Sequence, residues 1–391
     1  MFQYIIYLIS IIYIIFCIWI KVNSKFWSIQ PVFHIYDLKY WIYYSGIINK
    51  ELPKINKYID FLNIKTYDTN DLSREIIIKY TSFIRNNFLQ NKEMKYLPKE
   101  DDIFEYLKSF DKNNSYISIL FNKQNINDPI INYNKILGVI SGYSLNVKIN
   151  NDEFKCYYID NLCVKKNNRN KGNAPKLIQT HHYNSSHMNK NIRVYLFKRE
   201  VKLNNIVPLT LFNSYCYNII NIPKLDLVHN NMNILQIKNN NLILFIDIIK
   251  QIYNKYNCIV MPRYELINNL LDKDKLLIYG IIENNSLSAF YIFRNTPIYD
   301  DNNMKITECL CSVSLCHYEE IFVRGFTLAI HKIRENYKID RVIIDNVSNN
   351  NIIINYFKNE KIKYSFDFFN AFYLYNYASY SINNNNSILI Y

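Results

Sequence analysis

The residues best suited to chemistry lie in one stretch, Tyr157–Thr180, YYIDNLCVKKNNRNKGNAPKLIQT. A strand alternating through Tyr158, Asp160 and Leu162 runs into a basic loop and then a helix, with Pro175 near the first turn. Between Lys165 and Lys176 stand Lys165, Lys166, Arg169, Lys171 and Lys176, with no acid among them. Arg169, Gly172 and Ala174 are spaced as R-x-x-G-x-A. Free backbone N–H groups at a helix start, aided by the helix dipole, bind phosphate. Gly172 lets main chain approach an anion closely, and Ala174 keeps the helix near it. A basic surface turn is the plainer reading of the same residues.

Other reactive side chains form weaker patterns. Cys163 is more readily a buried strand cysteine than a nucleophile. Cys309, Cys311, Cys316 and His317 are the one cysteine cluster, and alternating Cys in CLCSVSLCH also reads as a buried strand. His181 and His182 point to different faces of a helix, so a two-ligand metal site with His187 is not expected. No metal is expected. The eight cysteines include no CxxC pair and read as free thiols.

The elements that position this stretch follow an α+β order. A helical pattern covers 72–89 and a short one 103–110. Strands are predicted at 116–121, 136–147 and 153–164, a helix at 174–186 and a strand at 192–197. The second half repeats the order. Helices are predicted at 241–256 and 264–271, then strands at 276–282, 288–293 and 306–314. A helix at 319–335, a strand at 340–344, a helix at 350–358 and strands at 365–378 and 387–391 follow. Residues 21–65 read as irregular, with Pro31 and Pro53 as breakers, and the Asn-rich runs at 239–241, 349–351 and 383–386 read as loops.

Composition bounds the rest. The chain has 391 residues, 49% hydrophobic and 20% charged, enough for a large core. It carries a net charge of +13, which favours nucleic acid, anionic lipid or a phosphate-bearing ligand. No nucleic-acid-binding motif appears, and with only 6 Gly there is neither a P-loop nor a GxGxxG fingerprint. Residues 1–20 contain no charge, and twenty helical residues span about 30 Å, the thickness of a bilayer core. Lys21 and Lys25 follow, with Trp19 and Trp27 at the interface. They favour a membrane anchor over 1–23 with the body on the cytosolic face; a buried helix is the alternative.

Three segments together resemble the eukaryotic-type N-myristoyltransferase family. FWSIQPV, Phe26–Val32, resembles an FWxxQPV segment. DNLCVKKNNRNKGNAPKLI, from Asp160, resembles NFLCVHKKLRSKRVAPVLI without a gap. KIDRVIIDNVSNNNIIINYFKN, FYLYNY and the terminal SILIY are similar to the family's last helix and strands. The resemblance covers roughly residues 24–391. It implies a tandem duplicated GCN5-related acetyltransferase fold: an acyl-CoA-binding half at 24–235 and a half at 236–391 contributing the peptide site. The implied activity is transfer of a fatty acyl group from myristoyl-CoA, a co-substrate, to the N-terminal glycine amine of proteins. A monomer with no tightly bound cofactor is implied. A different acyl-CoA-dependent N-acyltransferase, or an inactive homologue that binds lipid or a partner, are the alternatives.

By match with the family motifs, Lys25, Phe26 and Trp27 contact the acyl-CoA. The backbone N–H groups of Asn161 and Leu162 form an oxyanion hole. Cys163 and Val164 line the cofactor, and Arg169, Asn170, Lys171, Gly172, Asn173 and Ala174 hold its phosphates. The proton acceptor is the main-chain carboxylate of Tyr391, and Tyr215 belongs to the peptide site. The sequence departs from the family at several points. Asn161 replaces a Phe, Lys165 a His, Gly172 a cation and Tyr217 a His. RNNFLQNKEMKY, Arg85–Tyr96, stands where acids are expected, and KNEKIKYSFDF, from Lys358, stands for a KFGxGDG signature.

Overall fold

The computed structural model describes residues 2–43, 46–89, 93–108, 114–122, 135–227 and 232–391. Parts of the stretches 1–23, 85–96 and 103–110 and of the two halves lie outside these. Among the described residues, fifteen strands form one continuous mixed sheet. From one edge it runs, in spatial order, through Ser387–Leu389, Cys258–Met261, Ile136–Ile149, Asp152–Val164, Val194–Arg199, Phe366–Tyr375 and Thr210–Asn218. The two sequence halves therefore interleave. Phe366–Tyr375 inserts between Val194–Arg199 and Thr210–Asn218, and Cys258–Met261 adds to the edge of Ile136–Ile149. The largest buried cluster accordingly draws on both halves, from Tyr80 to Tyr391.

Most predicted elements are present: helices Arg74–Asn87, Asn173–Met188, Leu242–Ile252 and Glu319–Tyr337, and the long hairpin Ile136–Ile149/Asp152–Val164. Three corrections apply. Strands Ile64–Asp68, Thr210–Asn218, Met232–Ile237 and Cys258–Met261 lie where no strand was predicted. These are short or interrupted by Asn and Ser, and partners distant in sequence hold them. The region 21–65 is not wholly irregular: the N-terminal helix runs to Asn23 and a short helix spans Leu38–Ile42. Asn350 and Asn351 begin the predicted helix, here Asn350–Asn359, so of the run 349–351 read as a loop only Asn349 lies outside it. The buried Asn350 amide explains this, since it donates to the carbonyls of Asp345 and Cys309 and anchors the helix start.

The N-terminal helix, Phe2–Asn23, is long and apolar enough to cross a membrane by length and composition. Nearly all of it is exposed. Ile20 is its buried residue, and the Tyr13 hydroxyl donates to the Tyr36 carbonyl.

Candidate active site

A cavity of 820 Å³ opens where the halves interleave. Three elements shape its chemistry. The first is the strand Asp152–Val164. Val139 pairs with Cys163 and Ser141 with Asp160, so Ile140 alone faces both Asn161 and Leu162. This is a β-bulge, and Asn161 takes a left-handed φ of 54° to make it. Asparagine tolerates that conformation better than most side chains. The bulge breaks the alternation and turns main chain at 161–162 toward the cavity, which both residues line. The Asn161 amide side chain is buried and donates to Ser141 Oγ at 3.1 Å, which holds the bulge in place. The Asn161 N–H donates to Asp160 Oδ1 at 2.7 Å.

The second element is the turn into the helix Asn173–Met188. Gly172 caps it in the left-handed region, φ 75°, with no side chain capping the helix start. A Cβ built on Gly172 would meet nothing within 4 Å, so the main chain there presents an open face. Arg169 folds back, Nε donating to the Val164 carbonyl at 3.0 Å. A groove beside the large cavity is lined by Leu162, Cys163, Val164, Arg169, Asn170, Gly172, Asn173 and Ala174. Leu162 and Ala174 border both spaces. Uncapped helix N–H groups, the helix dipole and the arginine make this groove suited to phosphate.

The third element is the N-terminal segment Phe26–Val32. Phe26 and Trp27 line the cavity, and Trp27 stacks on Phe197 with ring centroids 5.4 Å apart. Gln30 pins the segment. Its Oε1 accepts from Gln179 Nε2 at 2.6 Å and from the Tyr375 hydroxyl at 2.9 Å, joining it to the phosphate-groove helix and to a strand of the second half.

Tyr391 forms part of the cavity wall. Ser387–Leu389 runs parallel to Cys258–Met261, and the Ile390 N–H donates to the Val260 carbonyl at 2.8 Å. Tyr391 is 2% exposed and lines the cavity. Lys198 Nζ donates to its hydroxyl at 2.7 Å, and that hydroxyl reaches Asp345 Oδ2 at 3.4 Å. Asp345 also accepts from Ser214 Oγ and lies 3.8 Å from Lys198 Nζ. The Arg294 guanidinium lies 4.4 Å over the Tyr391 ring and 3.7 Å from Glu308. Burial pushes the Asp160 and Asp345 carboxyls above the ordinary carboxylate range.

Of the residues singled out from the sequence, Phe26, Trp27, Asn161, Leu162 and Tyr391 share the large cavity. Cys163, Val164, Arg169, Asn170, Gly172, Asn173 and Ala174 share the adjoining groove. Lys25 and Lys171 lie outside both linings. Tyr215 packs its ring against Tyr364, centroids 5.3 Å apart, away from the cavity lining. The Cys163 thiol is buried and its pKa is pushed up to about 11, the wrong direction for a nucleophile. His181 is buried, Nδ1 hydrogen-bonded to Ser118 Oγ at 2.8 Å, and burial lowers both His181 and His182 to about 3. Among the described residues, no three His, Cys, Asp or Glu side chains converge as metal ligands.

Sequence reasoning missed Asp160, Lys198, Arg294, Glu308 and Asp345. Each is a charge in or beside the apolar run of its strand, and that interruption was the available signal.

Residues 54–195 match the family model described as Myristoyl-CoA:protein N-myristoyltransferase, N-terminal domain. A protein of Amsacta moorei entomopoxvirus, provisionally named a glycylpeptide N-tetradecanoyltransferase, is 27% identical over 309 residues, covering 71% of this chain and 92% of that protein. The crystal structure of Saccharomyces cerevisiae N-myristoyltransferase with bound myristoyl-CoA aligns over 92% of this chain and 94% of that one, with TM-score 0.70 and 15% identity. A second yeast structure, with myristoyl-CoA and inhibitors, aligns over 96% of each chain with TM-score 0.72 and 15% identity.

Proposed function

We propose, for a chain that has the fold of the N-myristoyltransferase family and so belongs with the acyl-CoA N-acyltransferases, that it transfers a myristoyl group from myristoyl-CoA to the N-terminal glycine amine of proteins. The observation that carries this reading is the junction at Leu162 and Ala174. There an open, uncapped helix start for phosphate meets a cavity large enough for a fatty acyl chain.

In this reading, Arg169 and the main chain of 170–174 hold the CoA pyrophosphate. Cys163 and Val164 flank the pantetheine, and Phe26 and Trp27 pack on the acyl chain beside Lys25. The thioester carbonyl points at the N–H groups of Asn161 and Leu162. The Asn161 N–H, which donates to Asp160 Oδ1 at 2.7 Å in this structure, exchanges that acceptor for the carbonyl, and the two donors then stabilise the charge that grows on its oxygen. The glycine ammonium gives a proton to the main-chain carboxylate of Tyr391, with Tyr391 as the chain's last residue. The neutral amine then attacks the thioester carbon: the C–N bond forms, the C–S bond breaks, and CoA leaves as its thiol. A carboxylate in a site as enclosed as that of Tyr391 is a stronger base than one in water. The half at 24–235 supplies acyl-CoA contacts and the half at 236–391 much of the peptide site. The helix Phe2–Asn23 tethers this body to the cytosolic face of a membrane, three residues before Phe26.

Incubating the protein with a glycine-terminated peptide and acetyl-, myristoyl- or palmitoyl-CoA, then weighing the peptide, tests the reaction. Myristoylated product is expected. Transfer of acetyl or palmitoyl alone replaces the acyl assignment, and no product from any donor refutes the enzyme reading. Flotation of the full chain with liposomes, lost on deleting 1–23, tests the tether.

A further inference from the structure

One ring nitrogen on the cavity wall has no protein partner. His181 lines the cavity and is 1% exposed, and its Nε2 makes no hydrogen bond among the described residues. The other nitrogen, Nδ1, meets Ser118 Oγ at 2.8 Å. Ser118 Oγ lies 2.8 Å from Thr66 Oγ1, which accepts from Asn184 Nδ2 at 2.8 Å. With that last bond in place, both hydroxyl protons find acceptors only if Thr66 donates to Ser118 and Ser118 donates to Nδ1. Burial keeps the ring neutral. Nδ1 is then the acceptor, and Nε2 carries the one ring proton as a buried donor.

The surroundings of that donor are apolar. A Cβ placed on Gly142 would stand 3.1 Å from Nε2 and 3.0 Å from Ile159 Cδ1, so the donor sits over the sheet beside Ile159. Ile140, Ile159 and Ile178 line the cavity with it. Ile159, the register partner of Gly142, is two residues, about 7 Å, along the strand from Asn161. With the thioester at 161–162, the donor stands beside the body of the acyl chain, away from its reacting end. A wholly hydrocarbon chain would leave it unbonded, and buried donors in that state are rare.

We infer that the cavity is built for a fatty acyl chain that carries an acceptor oxygen, as a ketone or a hydroxyl, part-way along its length, and that His181 Nε2–H receives it. This rests on the reading of the cavity as the acyl site and refines the donor that the site takes. A site with a buried polar group rejects a ligand that lacks the matching partner, so the oxygenated chain is selected over the plain one. His181 is a specificity residue and takes no part in bond making.

Calorimetry on the full chain tests this with myristoyl-CoA and a series bearing one ketone at successive carbons in the middle of the acyl chain. A ketone accepts and does not donate, so it reads this donor alone. At its best position the ketone is expected to bind at least about tenfold more tightly than the plain chain. H181L is expected to turn that preference against the ketone, because an unbonded carbonyl in an apolar site is unfavourable, while the plain chain binds as well as before or better. Should H181L melt early, H181N takes its place under the same criteria; its shorter amide can meet Ser118 but does not extend to where Nε2 stands. A ketone preference that persists unchanged in the variant overturns the inference. So does the absence of a ketone preference at every position in the unmodified protein, which would make a bound water the partner of Nε2 and leave the acyl-site reading standing. Binding of neither the plain nor the oxygenated chain overturns the acyl-site reading together with the inference.

Discussion

Lys198 donates a 2.7 Å hydrogen bond to the phenol oxygen of Tyr391, tying the strand Val194–Arg199 to a residue far from it in sequence. The phenol thus fixes Tyr391 to the sheet beside the cavity. Tyr391→Phe removes the hydroxyl's hydrogen bonds with Lys198 and Asp345 and keeps the ring under Arg294. It should cost about 1 kcal/mol of stability. It should lower kcat several-fold with little change in acyl-CoA affinity. Lys198→Met leaves the buried Asp345 without its cation and should cost about 3 kcal/mol. Denaturant melts and steady-state kinetics read both; a Tyr391→Phe variant with unchanged kcat would make the phenol merely structural.

Two alanines added after Tyr391 turn its carboxylate into a peptide bond. Turnover should fall at least a thousandfold, while acyl-CoA binding stays within about threefold, because the groove at 169–174 is untouched. Product mass and calorimetry check the two halves of that statement. Retained turnover would take the main-chain carboxylate out of the reaction.

The phosphate groove makes its own demand. Gly172→Ala places a side chain at φ 75°, where an L-residue costs about 1 kcal/mol, although the space around it is open. A small loss of stability and a several-fold weaker affinity for CoA are expected. Arg169→Ala should weaken CoA about tenfold and flatten the salt dependence of binding, since one cation no longer faces the phosphates. Calorimetry across a salt series measures both.

His181 and His182 are held neutral by burial, near 3 against an ordinary value of about 6.5. The unfolded chain binds these protons first, so their contribution to stability is full above about pH 6.5 and is lost as pH falls toward 3. At pH 5 each should cost about 2 kcal/mol relative to pH 7.5. Asp160 and Asp345, raised by burial, act oppositely. They favour the fold below the ordinary carboxylate value and lose that effect as pH rises through their raised values. Melting of the unmodified chain and of a His181→Gln, His182→Phe double variant between pH 7.5 and 5 isolates the histidine part. Equal slopes would show that these rings do not set the acid sensitivity.

Much of this site was legible in the sequence because it is local. Arg169, Gly172 and Ala174 sit on one turn whose geometry follows from residue type, and the structure keeps them within one groove. The hairpin 136–164 and the amphipathic helices were legible by period. What escaped depends on chain segments far apart. Thr210–Asn218 is a strand because Phe366–Tyr375 and Arg341–Asp345 flank it, not because of its own residues. Lys198, Arg294 and Glu308 reach the cavity from three strands and Asp345 pairs with Lys198 from a fourth, and no spacing along the chain announces that meeting. The bulge at Asn161 was hidden as well, because alternation through Tyr158, Asp160 and Leu162 reads as a regular strand until the register of Ile140 is known.

The most direct measurement is a crystal structure of the protein with myristoyl-CoA bound. The pyrophosphate is expected against the main chain of 172–174 and the acyl chain inside the cavity. The thioester oxygen should lie within about 3 Å of the amide nitrogens of Asn161 and Leu162. An acyl chain lying outside the cavity, or a thioester remote from those two nitrogens, would contradict the proposed reaction.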